Sequence, residues 1–214
     1  MSGSPQAPTP VTGAPKTGTD RALRADARRN REALLVAGAE VFAERGPDAS
    51  LEEIARRAGV GIGTLYRHFP DRDALTEAVY RREVELLCDS APPLLADLSS
   101  DKALAAWMRN FAAYAAAKRG MMVALKSAFS PDSDLFSYSH RRIREAIGSL
   151  IDAATAEGTI RSDVDVEALL TGMRGICLAG DGAVDAERTA LLIDLLVDGL
   201  RYGAPAGRAS AGLP

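Results

Sequence analysis

The chain has 214 residues, 47% of them hydrophobic and 26% charged, with a formal net charge of −3. That length allows a sizeable core in one or two small domains, and no segment approaches ~18 uncharged apolar residues, which argues against a membrane span. The charge is uneven: residues 21–72 carry ten arginines against eight acids, and residues 73–203 fourteen basic groups against twenty acids, so a basic N-terminal part on an acidic body points to an anionic partner at one end.

Residues 1–20 are rich in Pro, Ser, Thr, Gly and Ala and hold almost no large apolar side chain. Such a segment cannot bury enough surface to offset its ordering entropy and is predicted to be a disordered tail. It lacks the apolar stretch of a leader peptide, and a cytoplasmic location is expected. From Arg21 onward the chain is Ala/Leu/Arg/Glu-rich at helical spacing, without a period-2 run, which predicts an all-α fold. Helices are expected over residues 26–45, 51–58, 62–68, 72–89, 101–118, 120–129, 136–157, 166–179 and 184–203, with a short turn of helix near 92–98. This divides the chain into a three-helix unit over 21–72, a helical bundle over 73–203 and a fraying tail over 204–214. Gly46-Pro47 should stop the first helix. Ser50 with Glu53 three residues on is a capping box for the second. Asp71 and Asp165 are candidate N-caps, and Gly158 closes 136–157. The two cysteines, Cys88 and Cys177, form no CxxC and read as reduced, packed thiols.

The informative segment runs from Leu51 to Phe69. Two short helices meeting steeply need a small residue at their closest approach, which Ala55 supplies, and a turn tolerant of positive φ, which Gly59 supplies. Ile54, Ala58, Val60 and Leu65 fall on inward positions, and the 26–45 helix adds Leu34, Leu35, Val41 and Phe42 to close a three-helix core. The 62–68 helix then has an outer face of Ile62, Gly63, Thr64, Tyr66, Arg67 and His68. A helix fits the DNA major groove with its N-terminal residues near base edges. Arg67 suits a guanine, Thr64 and Tyr66 suit phosphates, and Gly63 allows close approach. Arg21, Arg24, Arg28, Arg29 and Arg31 form a basic arm able to neutralise phosphates, as could Arg72 at the next helix start. Two plainer readings stay open: Tyr66 partly packed into the core, and the arginine arm as a solvated face. Phe69 is expected in the core. Gly59-Val-Gly-Ile-Gly lacks the strand and βαβ setting of a nucleotide loop.

This pattern resembles the TetR family: Ala39 and Phe42, then Gly46, then Leu51-x-x-Ile-Ala-x-x-Ala-Gly-Val, then Gly-Thr-Leu-Tyr-Arg-His-Phe, then Asp71-Arg-x-x-Leu75. The resemblance implies a DNA-reading helix carrying Ile62, Gly63, Thr64, Tyr66, Arg67 and His68, with Ser50 and Arg72 at positions that touch the DNA backbone. Two departures stand out: Gly61 where the family often has Ser or Thr, and Arg72 where it often has Lys. Ala106-Trp107-Met108-Arg-x-Phe111-x-x-Tyr114-x-x-x-Lys118-Arg119-Gly120-Met121 and Gly158-x-Ile160-Arg161-x-Asp163-Val164-Asp165 resemble an actinobacterial TetR subgroup with a shared SbtR-like C-terminal domain.

Projected at 100° per residue, the apolar side chains of 191–200 cover roughly 240° of the helix, more than the ~100° stripe of a surface helix. Burial against both the home core and a partner follows, with a core helix inside one subunit as the alternative. Leu192, Leu196 and Leu200, with Ile143, Ile147 and Ile151 of the 136–157 helix, are the candidate homodimer interface. Trp107, Met108, Phe111, Tyr114, Met121, Met122, Leu125, Phe129 and Met173 are candidates for a small-molecule effector pocket, ordinary core being the alternative for each. His140 is a lone histidine, and no metal cluster, catalytic group or cofactor is expected. The resemblance implies a repressor binding a palindromic operator as a dimer and released by an effector. An enzyme on an all-α scaffold and a protein-interaction module are the rival classes.

Overall fold

Two helix ends in the chain are built alike. At Gly59 (φ +69°) and Gly158 (φ +69°) the backbone turns left-handed, where a side chain would clash with the following carbonyl. The amide of Gly59 donates to the Arg56 carbonyl at 3.2 Å and that of Val60 to Ala55 at 3.0 Å. At the second site Gly158 bonds Thr155 at 3.0 Å and Thr159 bonds Ala154 at 2.9 Å. Both are Schellman caps, which satisfy carbonyls the helix end would otherwise orphan. The first fixes the turn between the paired short helices.

The computed structural model describes residues 17–130, 133–178 and 183–201. Nine α-helices and no strand occur among them: α1 Thr17–Arg45, α2 Leu51–Arg57, α3 Ile62–His68, α4 Arg72–Asp89, α5 Ala91–Asp97, α6 Ser100–Ala128, α7 Asp134–Ala156, α8 Val166–Leu178 and α9 Ala183–Arg201. A single 3-10 turn, Gly46–Asp48, joins α1 to α2. The chain is therefore all-α, with a helix-turn-helix unit at its N-terminal side and a helical bundle behind it.

Side-chain caps open several helices. Ser50 Oγ accepts from the Glu53 amide at 3.1 Å, a contact worth ~1 kcal/mol. The Glu53 carboxylate turns to Arg57 at 2.9 Å, so the capping box is formed on the Ser50 side. Asp71 accepts from Ala74 at 2.8 Å. Asp165 accepts from Glu167 at 2.7 Å and Ala168 at 3.1 Å. Pro92 and Pro93 lie in the first turn of α5, where a missing N–H costs no hydrogen bond.

Two expectations need correction. α1 begins at Thr17 rather than 26, so Thr17–Asp20 are helical where a disordered tail was expected. Ala22, Leu23, Ala25 and Ala27 are strong helix formers, and an ion pair of Asp26 with Arg29 supports the early turns. The predicted 101–118 and 120–129 helices are one, α6, running through Gly120. A mid-helix glycine costs about 1 kcal/mol, less than the packing of α6 contributes. The remaining expectations for 1–16 and 204–214 lie outside the described residues.

One core runs through both units. Leu34 and Phe42 of α1, Leu75 and Val79 of α4, Trp107 of α6, Ile147 of α7 and Val197 of α9 belong to it, all 3% exposed or less. α4 packs on α1, α6 and α7, and α6 packs on every helix except α2 and α3 and on the Gly46–Asp48 turn. At Gly38, α1 crosses α4 so closely that an added Cβ would lie 2.8 Å from Val79 Cγ2. The buried polar side chains Thr76, Ser100 and Ser139 all find partners, on the Arg72 carbonyl, the Glu157 carboxylate and the Leu135 carbonyl.

Candidate nucleic-acid interface

α3 has an inner and an outer side. Leu65 is fully buried and Phe69, just past the helix end, is 3% exposed. Between and around them Tyr66 is 47% and Ile62 38% exposed; Gly63 and Arg67 are exposed, and Thr64 and His68 half-buried. A Cβ added at Gly63 would meet nothing within 4 Å, so the space beside it is open. Tyr66 projects into solvent more than the packed alternative required. Phe69 is core.

What holds α3 at its angle is α2. Ile54 and Ala55 are buried against α1. Arg57 donates to both carboxylate oxygens of Glu44 on α1, at 2.7 and 2.5 Å, and to Glu53 at 2.9 Å. These bonds hold the Glu44 carboxyl below the usual carboxylate range and push the Arg57 guanidinium up.

The arginines upstream lie along α1. Arg28 and Arg29 are exposed, Arg29 pairing with Asp26. Arg31 sits over the Phe69 ring at 5.3 Å, which links the arm to the end of α3. Arg72 is half-buried: it donates to the Ala49 carbonyl and lies 5.6 Å over the Phe42 ring. It is thus built into the junction between α4 and the turn before α2. Ser50 is half-buried, its oxygen used in capping α2.

The apolar candidates of the bundle separate differently from the sequence reading. Ile143, Ile147 and Ile151 are 6% exposed or less, as the inward stripe of α7, and Leu200 is 8% exposed. These side chains pack into the chain's own core. Leu192 and Leu196 are half-buried. The outward apolar side chains are instead Leu178 at 80%, Leu191 at 60% and Leu195 at 67% exposure, on α8 and α9. Helical projection had counted Leu191 and Leu195 as apolar without telling which side of α9 the home core takes.

Trp107, Met108, Met121, Leu125 and Met173 are buried to within 1%. The Trp107 indole N–H donates to the Leu87 carbonyl at 3.0 Å, and Phe111 lies 5.9 Å from the Trp107 ring. Met122 and Phe129 are half-buried against the same core. Tyr114 lines an open cleft of about 380 Å³ between α4 and α6, bounded also by Glu83, Leu87, Ser90 and Asn110. Lys118, which composition and spacing did not single out, occupies an aromatic cage: its ammonium is 4.8 Å from the Tyr80 ring centre and 5.8 Å from those of Tyr114 and Phe136, and donates to the Tyr80 hydroxyl at 3.1 Å. The four-residue spacing of Tyr114 and Lys118 was the available signal. Cys88 is buried, its thiol pushed up to about 11 by that burial; Cys177 is half-buried and also raised. Both are free, as expected. No group of three or more potential metal ligands occurs among the described residues, and no described helix is long and apolar enough to cross a membrane.

Comparison with known proteins agrees with this geometry. Residues 34–79 match the family described as bacterial regulatory proteins, tetR family, and residues 99–202 match the SbtR-like transcriptional regulator C-terminal domain. A solved TetR transcriptional regulator of Streptomyces coelicolor is 47% identical, with a TM-score of 0.76, over 81% of this chain and 99% of that one. A TetR regulator of Mycobacterium vanbaalenii is 37% identical, with a TM-score of 0.69, over 84% of this chain and 99% of that one. An HTH-type transcriptional regulator of Staphylococcus aureus is 37% identical over 65 residues, which span 30% of this chain and 35% of the relative. With matches along nearly the whole length of two solved regulators, and a helix-turn-helix unit whose second helix is open on its outer side, the chain belongs to the TetR family of DNA-binding transcriptional regulators.

Proposed function

We propose that the protein is a repressor that binds a palindromic operator as a homodimer and leaves it when a small-molecule effector binds the helical bundle. The carrying observation is the split of α3, with Leu65 buried while its neighbours Tyr66 and Arg67 face outward. A short helix anchored on one side and bare on the other fits the major groove. In this reading Arg67 donates two bonds to a guanine, and Thr64, Tyr66 and His68 reach phosphates or base edges. Ile62 offers apolar contact to a thymine methyl, and Gly63 lets the backbone approach. Arg28 and Arg29 contribute sequence-blind attraction to phosphates. Ser50 retains a hydroxyl proton to donate to the DNA backbone, and Arg72 acts chiefly by locking the start of α4 to the loop before α2.

The exposed Leu178, Leu191 and Leu195 support dimerisation through α8 and α9, since large apolar side chains are costly to leave in water, and Leu191 and Leu195, four residues apart, share one face of α9. A two-fold dimer would set two α3 helices about one DNA turn apart, ~34–36 Å. An effector acts by preferring a spacing other than this one. α4, which starts at the reading unit and packs on α6 and α7, links the two. That its relatives are transcriptional regulators supports action by binding rather than turnover.

The test is selection of genomic DNA fragments by the purified protein, followed by gel shift on the selected sequence. Arg67→Glu should abolish specific binding and leave the folded oligomer intact. Unchanged operator affinity in that variant would refute the assignment of α3 as the reading helix.

A further inference from the structure

We propose that the bundle's ligand is an amphiphilic organic acid, its carboxylate seated on Lys118 and the Tyr114 hydroxyl and its apolar body lying along the α4–α6 cleft. The proposal deepens the effector reading above and rests on it.

Lys118 is half-buried on α6 and makes no ion pair among the described residues: its ammonium is satisfied by one hydrogen bond, to the Tyr80 hydroxyl at 3.1 Å, and by the faces of Tyr80, Tyr114 and Phe136. A cation with three donors and one acceptor has capacity left, and a partly desolvated charge gains most from an anion. The Tyr114 hydroxyl is the second group. Tyr114 is 8% exposed, and its hydroxyl is buried without a hydrogen bond of normal length. Burial, reinforced by the neighbouring Tyr80 hydroxyl, pushes its pKa upward, so the phenol stays a donor. An ammonium and a phenol, both donors lacking a full set of acceptors, are complementary to a carboxylate. Tyr114 also lines the α4–α6 cleft, where Leu86, Leu87 and Ala113 supply apolar wall. One side chain therefore connects the polar end of the site to its apolar length. Glu83, across the cleft, pairs with Arg82 at 2.9 Å, which offsets its repulsion of an anion.

Trp107 is the only tryptophan of the chain and stacks near Phe111, itself 6.1 Å from Tyr114, so its emission reports on this stretch of α6. The full-length protein is titrated with octanoate, octan-1-ol and octylammonium at constant ionic strength, as wild type, Lys118→Met, Lys118→Arg and Tyr114→Phe. Wild type should bind octanoate at least about tenfold more tightly than octan-1-ol, the scale of one charge-assisted contact. Lys118→Met should erase that advantage and leave octan-1-ol unchanged, Lys118→Arg should keep most of it, and Tyr114→Phe should weaken octanoate about threefold or more. Equal binding of acid and alcohol by wild type, preference for octylammonium, or no saturable octanoate binding each overturns the proposal, as does a folded Lys118→Met that keeps the advantage. Should Lys118→Met fail to fold, the wild-type comparison and the isosteric Tyr114→Phe still decide. Salt-titrated duplex binding is measured in parallel: DNA binding without octanoate binding defeats this proposal alone, and octanoate binding without DNA binding defeats the repressor reading alone.

Discussion

Arg57 grips both carboxylate oxygens of Glu44, 2.7 and 2.5 Å away, and so ties α2 to the end of α1. Because the hydrogen bonds from Arg57 depress the Glu44 pKa in the folded state, the stability they contribute is present above the unfolded value near 4.5. It is lost as pH falls through the lower folded value. Glu44→Gln should therefore melt below wild type at about pH 6 and approach it at about pH 3. Thermal unfolding of both proteins across that range checks the sign, and a gap that widens in acid would contradict it.

Gly38→Ala sets two effects against each other. Alanine improves helix propensity by about 1 kcal/mol, but its Cβ would lie 2.8 Å from Val79 Cγ2. Val79 is fully buried, and a β-branched side chain in a helix has essentially one rotamer, so it cannot swing aside. Overpacking of this kind costs roughly 1–3 kcal/mol. A net loss of up to about 2 kcal/mol is expected, read as a lower Tm in thermal unfolding.

Gly63→Ala should do the reverse. Its Cβ meets open space, so the helix gains up to about 1 kcal/mol. If the backbone of α3 must come close to DNA, the same methyl group weakens operator binding. A variant that is more stable and binds DNA less well is the expected pair of readings, from a melt and a gel shift; unimpaired binding would show that nothing approaches α3 at that point.

Arg28→Ala and Arg29→Ala should weaken binding to all duplexes alike. Each phosphate contact removed lowers the slope of log affinity against log salt by about 1. Arg67→Ala should instead narrow the difference between operator and random sequence, at a cost of about 1–3 kcal/mol on the operator. Salt titrations on both duplexes separate the two kinds of arginine.

Leu191→Asp with Leu195→Asp should yield a folded monomer in analytical ultracentrifugation, because both side chains are more than half exposed in the protomer. Ile147→Asp should instead unfold the chain, since Ile147 is fully buried and an isolated charge there has no partner.

Much of this architecture is legible in local chemistry. Gly59 and Gly158 announce left-handed turns, and Ser50, Asp71 and Asp165 announce helix starts, because caps involve neighbours in sequence. The buried Leu65 beside the open Tyr66 and Arg67 is likewise readable from the period of a short helix. Relations between distant helices are less legible. That Ile143, Ile147 and Ile151 face the home core while Leu191 and Leu195 face outward depends on where α7 and α9 pack, which periodicity leaves free. The close approach of Gly38 to Val79, 41 positions later, leaves no local signal in the sequence. The Lys118 cage draws its rings from α4, α6 and α7, so no window of sequence contains it. The expected boundary between 118 and 120 is absent, because tertiary packing carries α6 through Gly120.

The unbroken passage of α6 through Gly120 also has a mechanical consequence. At 29 residues the helix is a rod of about 43 Å, braced against the 3-10 turn of the helix-turn-helix unit as well as the bundle. Tilting such a rod by about 5° about one end carries the other through roughly 4 Å. That is on the order of one base-pair step along the duplex.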